Sequence, residues 1–203
     1  MTYATLSQLI AGAISGQLVS FPTDTVPALA ARPDRSGLIF AAKQRDTSKP
    51  LILMGATAED LWQYVYGNDG ERQLWQRVAG IYWPGPLTLV LPASDRLPPQ
   101  VNPTDPTTIG VRVPNNAIAR HILSQTAPLA TTSANRSGEP PLPTLSKIAV
   151  EFPQALTLNP VEVTEIPGIG VPSTVAKWTG NGWEILRQGA ITQEQLLAVD
   201  RSI

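Results

Sequence analysis

Three cations, Lys43, Arg45 and Lys49, lie close together in the sequence and lead into an apolar segment at 50–53. The chain is not basic elsewhere, because its 15 Lys+Arg are balanced by 16 Asp+Glu, so the cluster indicates a local anion site. At the end of a helix and beside a buried strand, these charges would face a phosphate-bearing ligand from a fixed platform. Two alternatives stay open: a solvated loop, and cations that only complement the dipole of a helix C-terminus.

A second candidate is the run of small hydroxyl and amide side chains at 131–138, which includes Ser133 and Asn135. It directly follows the short apolar strand predicted at Leu129 and Ala130. Such side chains form short hydrogen bonds with phosphate, ribose or carboxylate oxygens. Taken alone, the run is also typical of a loop.

The third candidate is the Thr-Asp-Thr segment at 23–25, which follows a predicted strand at 17–21. That position corresponds to the carboxyl edge of an α/β sheet, where ligands bind. The alternative is an ordinary turn, because Pro, Thr and Asp are common turn residues.

A predicted strand at 108–113 supplies the fourth candidate, Arg112. Side chains alternate along a strand, so Thr108, Gly110 and Arg112 share one face. Arg112 then points into a polar cleft or, equally, extends to solvent.

The composition limits the class of protein. With 203 residues, 42% hydrophobic and 15% charged, the chain is predicted to be globular, an α/β protein with one domain over 1–203. A net charge of -1 argues against bulk attraction to a long polyanion, so any nucleic-acid contact must be local. With no cysteine and a single histidine, His121, the chain lacks the residues for disulfides, thiolate chemistry or a structural zinc site. His121 itself is predicted to lie at the surface or half-buried, with no catalytic task.

No run of residues is long and apolar enough to span a membrane, and the N-terminus lacks the basic start of a signal peptide, so we expect a cytoplasmic protein.

The 20 prolines and 15 glycines indicate many short elements. Ser36 is a candidate helix cap, and Trp62 and Trp75 are predicted core residues. Hydrophobic periodicity predicts helices at 2–15, 36–43, 57–65, 71–79, 115–124, 144–152 and 192–199, with strands at 17–21, 51–54, 87–91, 108–113, 129–130 and 183–187.

Several ordered motifs resemble those of the YrdC-like family of threonylcarbamoyl-AMP synthases. Single matches of this kind are weak, whereas the ordered set, which extends from about Gly16 to Ile191, is specific. The matching strings are FPTDT at 21–25, KQRDTSKPL at 43–51, WPGPLTLVLP at 83–92, TIGVRVP at 108–114, TTSANRSGEP at 131–140, PSTV at 172–175 and LRQGAI at 186–191.

The resemblance implies a twisted mixed β-sheet flanked by helices, with a concave, positively charged ligand cleft, in the short single-domain form of the family. It implies a nucleotidyltransferase that makes threonylcarbamoyl-AMP and pyrophosphate from ATP, threonine and bicarbonate. A downstream threonylcarbamoyl transferase then modifies adenosine in tRNA. The resemblance also implies Mg²⁺ carried by ATP and no metal site of the protein's own.

The resemblance also assigns residues to substrates. Attack of an ionised carbamate on the α-phosphate needs charge neutralisation and alignment but no obligatory general base. By the resemblance Lys43 and Arg45 are catalytic. The implied ATP site is Lys43, Arg45, Lys49, Thr108, Ser133, Asn135 and Arg187, and the implied threonine site is Thr23, Arg112, Thr131 and Ser173.

The sequence departs from the family pattern at Pro27, Met54, Asn116 and Pro141, where other residue types are common. Pro27 and Met54 are expected to flank the threonine pocket, so they bear on amino-acid specificity more than on nucleotide binding. Two other interpretations follow: a non-catalytic or differently specific paralogue that binds nucleotide or double-stranded RNA, and an unrelated α/β interaction domain.

Overall fold

Short strands and helices alternate along the chain in the computed structural model, which describes residues 3–44, 46, 48–163 and 168–200. The strands are β1 Tyr3–Ala4, β2 Val19–Phe21, β3 Ala28–Ala31, β4 Ile52–Met54, β5 Leu87–Pro92, β6 Thr108–Arg112, β7 Leu129–Ser133, β8 Leu156–Leu158, β9 Thr174–Trp178 and β10 Trp183–Arg187. The helices are α1 Leu6–Ile14, α2 Gly37–Lys43, α3 Glu59–Trp62, α4 Asp69–Tyr82, α5 Ala117–Thr126, α6 Leu145–Glu151 and α7 Gln193–Asp200.

All of these strands belong to one open sheet, in the order β1-β8-β2-β3-β7-β4-β6-β5-β9-β10. Four neighbouring pairs are parallel, namely β1 with β8, β8 with β2, β4 with β6 and β5 with β9, and the other pairs are antiparallel. The predicted α/β class with a mixed sheet flanked by helices is therefore confirmed. A single domain over 1–203 stays a prediction.

Strand β3 is the main element that sequence reasoning missed. Its four residues, Ala28–Ala31, are all buried between β2 and β7, which are its antiparallel neighbours. Alanine has a low intrinsic preference for strands, but a central strand covered on both faces accepts small side chains. Strands β1, β8 and β9 were also missed; β1 and β8 are too short to show a period of two, with two and three residues.

The helix starts follow the expected capping chemistry at some positions and not at others. Thr5 caps α1 and Asn68 caps α4, each in a reciprocal capping box with a residue three positions later. Ser36 lies at the N-cap position of α2, as predicted, but its hydroxyl makes no capping hydrogen bond and donates to the carbonyl of Gln100 at 2.9 Å. The helix predicted at 71–79 begins two residues earlier, at Asp69, and continues to Tyr82.

The two predicted core tryptophans are confirmed. Trp75 is fully buried and meets Trp178 edge to face, with ring centroids 6.2 Å apart. Trp62 is partly buried and stacks on Trp83, with ring centroids 5.7 Å apart.

His121 is exposed, as expected. Among the helices of the described ranges, none combines the length and apolar character that a bilayer crossing requires.

Candidate active site

A cleft of about 860 Å³ lies on one face of the sheet. On β4, β5, β6 and β9 alternate residues form its floor, because successive side chains of a strand point to opposite faces, whereas β7 contributes all of Thr131, Thr132 and Ser133. The floor residues are Ile52 and Met54 of β4, Thr88 and Val90 of β5, Thr108, Gly110 and Arg112 of β6, Thr131, Thr132 and Ser133 of β7, and Val175 and Lys177 of β9. The predicted shared face of Thr108, Gly110 and Arg112 is thereby confirmed.

Arg112 points into the protein at one end of the cleft and does not extend to solvent. Its residue exposure is 2%, and its guanidinium donates to Asp24 Oδ1 at 2.6 Å, Thr25 Oγ1 at 2.9 Å and the carbonyl of Gly85 at 3.0 Å. Burial lowers the pKa of Arg112, whereas the Asp24 carboxylate opposes this shift, and nearby Arg187 lowers the pKa further. These contacts hold the guanidinium charge in one orientation beside the cleft.

The Thr-Asp-Thr segment is a structured loop with a defined role for each hydroxyl. Thr23 is buried, and its Oγ1 donates to the carbonyl of Val26 at 2.8 Å, so it shapes the loop and is not among the cleft-lining residues. Thr25 is the hydroxyl of this segment that lines the cleft. Gly168 lies against the loop so closely that an added Cβ would be 2.4 Å from the carbonyl oxygen of Thr25. The ordinary-turn interpretation does not account for this packing.

Ser173 and Arg187 meet at the same end of the cleft as Arg112. Arg187 donates from Nε and Nη2 to the carbonyl of Ser173, at 3.1 and 2.9 Å, and from Nη2 to Ser173 Oγ at 3.2 Å. Burial lowers the pKa of Arg187. Thr88 Oγ1 lies 2.9 Å from Ser173 Oγ. A residue assigned to ATP therefore directly contacts one assigned to threonine.

The opposite end of the cleft is polar and carries both signs of charge. Lys49 lines this end, and its Nζ donates to Ser137 Oγ at 3.2 Å. Asp105 accepts hydrogen bonds from the hydroxyls of Thr107 and Thr108, the latter at 3.1 Å. These bonds, that of Thr107 foremost, together with the charge of Lys177, lower the pKa of Asp105. The carboxylate therefore stays ionised at neutral pH.

Lys43 lies behind the cleft wall and not in a solvated loop. It is 1% exposed, and its Nζ donates to the carbonyl of Ser133 and, at 3.3 Å, to Asn135 Oδ1. Ser133 Oγ also donates to Asn135 Oδ1, at 2.6 Å, which joins the three residues in one network. Of the three, Ser133 lines the cleft, whereas Lys43 and Asn135 support it. Arg45 lies outside the described residues.

Strand β7 extends further than expected, because Thr131 to Ser133 continue it rather than form a loop. Thr131 lines the cleft through this strand, and its hydroxyl donates to the carbonyl of Ile52 at 3.4 Å. Of the predicted site residues that the structure describes, those lining the common cleft are Lys49, Thr108, Arg112, Thr131, Ser133, Ser173 and Arg187.

Sequence reasoning missed several polar cleft residues, namely Thr88, Asn102, Asp105 and Lys177, and it assigned a substrate to Thr23 of the Thr-Asp-Thr candidate but not to Thr25. Thr25 and Thr88 could have been predicted as cleft residues, because both lie in family-matched strings. Thr88 also alternates with Val90 along a predicted strand. Asn102 and Asp105 fall in a Pro-rich loop without periodicity, so no signal identified them.

The four departures from the family pattern differ in position. Met54 lines the cleft, whereas Pro27, Asn116 and Pro141 are not among its lining residues. Asn116 caps α5 by accepting from the backbone of Ala119 at 2.8 Å. Met54 is therefore the departure that changes the chemistry of the cleft surface.

The chain belongs to the Sua5/YciO/YrdC family, whose model, described as "Telomere recombination", matches residues 13–189. It is 32% identical over 157 residues to a threonylcarbamoyl-AMP synthase of Chromohalobacter salexigens, covering 75% of this chain and 83% of the relative. It is 35% identical over 188 residues to the threonylcarbamoyl-AMP synthase of Pyrococcus abyssi, covering 89% of this chain and 53% of the relative. The chain thus spans about half the length of the latter protein.

Solved structures agree with this membership. The crystal structure of P. abyssi Sua5 complexed with L-threonine superposes with a TM-score of 0.82 at 32% identity, covering 96% of this chain and 56% of that one. E. coli YciO superposes with a TM-score of 0.79 at 21% identity, which supports the fold alone. The family resemblance and the predicted fold are confirmed.

Proposed function

We propose that this chain is an L-threonylcarbamoyladenylate synthase, a nucleotidyltransferase that joins ATP, threonine and bicarbonate. The observation that carries the proposal is a single cleft, in a member of this family, that brings together cations and hydroxyls from distant motifs. Relatives at 32% and 35% identity are named for this activity, and P. abyssi Sua5 binds L-threonine.

The geometry fits two adjoining anion subsites. Arg112 and Ser173 at one end suit the carboxylate or carbamate of an amino acid, because a fixed guanidinium and a hydroxyl bind oxygen anions. Lys49, Ser133 and Thr108 suit the phosphates, and Arg187 lies where the two substrates would meet. The threonine amine would react with bicarbonate to form a carbamate, with loss of one water. A carbamate oxygen would then bond to the α-phosphorus of ATP as the bond to the outer two phosphates breaks and pyrophosphate leaves.

In this proposal Mg²⁺ binds to the cleft together with ATP. Within the described ranges no cluster of three or more His, Cys, Asp or Glu could hold a metal ion, and Asp105 is the acidic residue among those lining the cleft. Mg²⁺ commonly keeps several waters and binds through substrate phosphates plus one or two carboxylates, so this donor set fits an ion held chiefly by the triphosphate.

The remaining partners belong to the same proposal. Threonylcarbamoyl-AMP is a reactive mixed anhydride, so a downstream threonylcarbamoyl transferase would consume it to modify adenosine in tRNA. That role favours a cytoplasmic location, and the absence of cysteine is compatible with it. The net charge of -1 favours local contact with tRNA over a broad RNA-binding surface.

One observation favours a second candidate, a synthase with altered amino-acid preference. Met54 of β4 pairs in register with Arg112, so an apolar thioether occupies the cleft next to the proposed carboxylate site. The family commonly has a histidine here, and a larger or more apolar amino acid than threonine would suit methionine better.

Pyrophosphate release with each substrate omitted in turn tests the proposal. We expect release to require ATP, bicarbonate and an amino acid together, with threonine and its homologues compared as the amino acid. Binding of ATP or double-stranded RNA without release would instead identify a non-catalytic paralogue.

Two alanine variants test the phosphate subsite. Lys43→Ala would disturb a buried network, so Arg45→Ala and Lys49→Ala are the better changes, with exposed Lys147→Ala as the matched control. We expect Arg45→Ala to lower ATP affinity or turnover at least about tenfold with little change in stability, because charge-assisted bonds to phosphate are strong. Normal kinetics with a large loss of stability would show that Arg45 is structural.

A further inference from the structure

The hydroxyl of Thr88 lies beneath the cleft and has one neighbour that determines its role. Thr88 is 0% exposed, and Ser173 Oγ at 2.9 Å is the partner of its Oγ1 among the described residues. The side-chain orientation of Thr88 is set by packing, because its methyl Cγ2 faces Gly110, where an added Cβ would be 3.3 Å away. The hydroxyl is therefore held toward β9, where Ser173 precedes the strand.

The direction of this hydrogen bond follows from burial. Burying a hydroxyl group whose proton has no acceptor lowers the stability of the fold by about 1–3 kcal/mol. We therefore infer that Thr88 donates its proton to Ser173 and does not accept one. Arg187 Nη2 also donates to Ser173 Oγ, at 3.2 Å. A hydroxyl oxygen has two lone pairs, and both of those on Ser173 are then occupied.

We propose that Thr88 is a positioning residue that, together with Arg187, makes the Ser173 hydroxyl a compulsory hydrogen-bond donor to an anion in the cleft. Both lone pairs of the Ser173 oxygen accept hydrogen bonds from protein donors, so the hydroxyl proton of Ser173 points in the remaining direction. That direction is the cleft, which Ser173 lines. A carboxylate or carbamate oxygen accepts such a proton, whereas a donor group such as an ammonium is rejected.

This inference rests on the proposed function for the identity of the ligand, an amino acid or its carbamate. It adds a reason for the polarity of the subsite. Arg112 supplies charge, Ser173 supplies a directed donor, and Thr88, which is 0% exposed in the cleft floor, fixes that direction. Thr88 belongs to β5 and Arg187 to β10, so strands on both sides of β9 control one proton.

Isosteric substitution at Thr88 tests the inference. Thr88→Val keeps the shape but removes the hydroxyl, which frees a lone pair of Ser173 and lets its proton turn away from the cleft. Thr88→Ser keeps the hydroxyl. The matched control is Thr157→Val, since Thr157 is another fully buried threonine whose Oγ1 has no hydrogen-bond partner among the described residues.

Calorimetric titration with L-threonine, without ATP, gives the primary readout. We expect Thr88→Val to raise the Kd for threonine about tenfold, Thr88→Ser to stay within about threefold of the parent, and Thr157→Val to leave it unchanged. In the pyrophosphate assay the KM for threonine should rise in Thr88→Val while the KM for ATP stays constant. Parent-like affinity in Thr88→Val overturns the inference, and so does an equal loss in both Thr88 variants.

The proposed function and the inference fail in different ways. If the parent binds inorganic phosphate but neither threonine nor its larger homologues, the proposed function is wrong, and the inference is judged by phosphate affinity in Thr88→Val. Unchanged phosphate affinity then overturns the inference, and a tenfold loss supports it for that anion. If the parent binds neither probe, both are wrong.

Discussion

Removing the Asp24 carboxylate should destabilise the fold, because it leaves the Arg112 charge buried without its counterion. The pair is 2.6 Å apart, and its side chains are 3% exposed for Arg112 and 13% for Asp24. Breaking a buried pair by removing one partner typically costs about 3–5 kcal/mol. Arg112 retains its bonds to Thr25 and Gly85, so for Asp24→Asn we expect the lower end, about 3 kcal/mol.

Urea unfolding and differential scanning calorimetry measure this loss. In a chain of this length, each kcal/mol lowers Tm by about 2–4 °C, so Tm should fall by about 6–12 °C. The exposed pair Arg32 and Asp34, 3.0 Å apart with side chains 45% and 51% exposed, provides the matched control. Asp34→Asn should change stability by less than about 1 kcal/mol, because exposed ion pairs contribute little.

A double-mutant cycle separates the pair from its surroundings. Arg112→Met removes the other charge, so the double variant with Asp24→Asn no longer buries an unpaired ion. We expect a coupling energy of about 2 kcal/mol between the two positions. If the stability losses of the two single variants sum to the loss of the double variant within about 0.5 kcal/mol, the buried ion pair does not account for the destabilisation in Asp24→Asn.

Two further predictions concern the walls of the cleft. Gly189→Ala should cost about 2–3 kcal/mol and weaken threonine binding, because the added Cβ would lie 2.4 Å from Thr174 N and 2.5 Å from the carbonyl oxygen of Pro172. Gly182→Ala, where nothing lies within 4 Å, is its control, and equal losses in chemical unfolding would contradict the steric reason. The pKa of Asp105 lies below the usual aspartate value, so Asp105 contributes stability above that usual pKa, and the contribution is lost as the pH falls through the lower folded pKa. The stability difference between the parent and Asp105→Asn should therefore be constant above about pH 5 and shrink as the pH falls further into acid, and a difference that grows in acid would refute the assignment.

The sequence predicted the cleft best where a polar side chain alternates along an apolar strand. Thr108 and Arg112 follow that pattern, and both line the cleft as expected. Lys43 and Asn135 also come from matched motifs, but motif position does not distinguish a residue that faces a ligand from one that supports it. That distinction depends on the network through Ser133, which joins segments some ninety residues apart.

The elements that sequence reasoning missed share a physical cause. Ala28–Ala31 forms a strand because two neighbouring strands cover it, and that environment is not encoded in the local pattern. Ser36 has the residue type of a cap, yet a distant carbonyl at Gln100 takes its hydroxyl. Tertiary contacts decide both outcomes, so local propensity predicted element type better than partner identity.

The position of β9 next to β5 has a consequence for synthesis on the ribosome. Strand β5 leaves the ribosome well before its parallel neighbour β9 and the hairpin partner β10, which follow much later in the sequence. Until they emerge, a hydrophobic strand edge of the nascent protein stays unpaired, and such an edge invites association with other chains. Because Ser173, Lys177 and Arg187 line the cleft, the cleft is complete only after β9 and β10 have docked against β5.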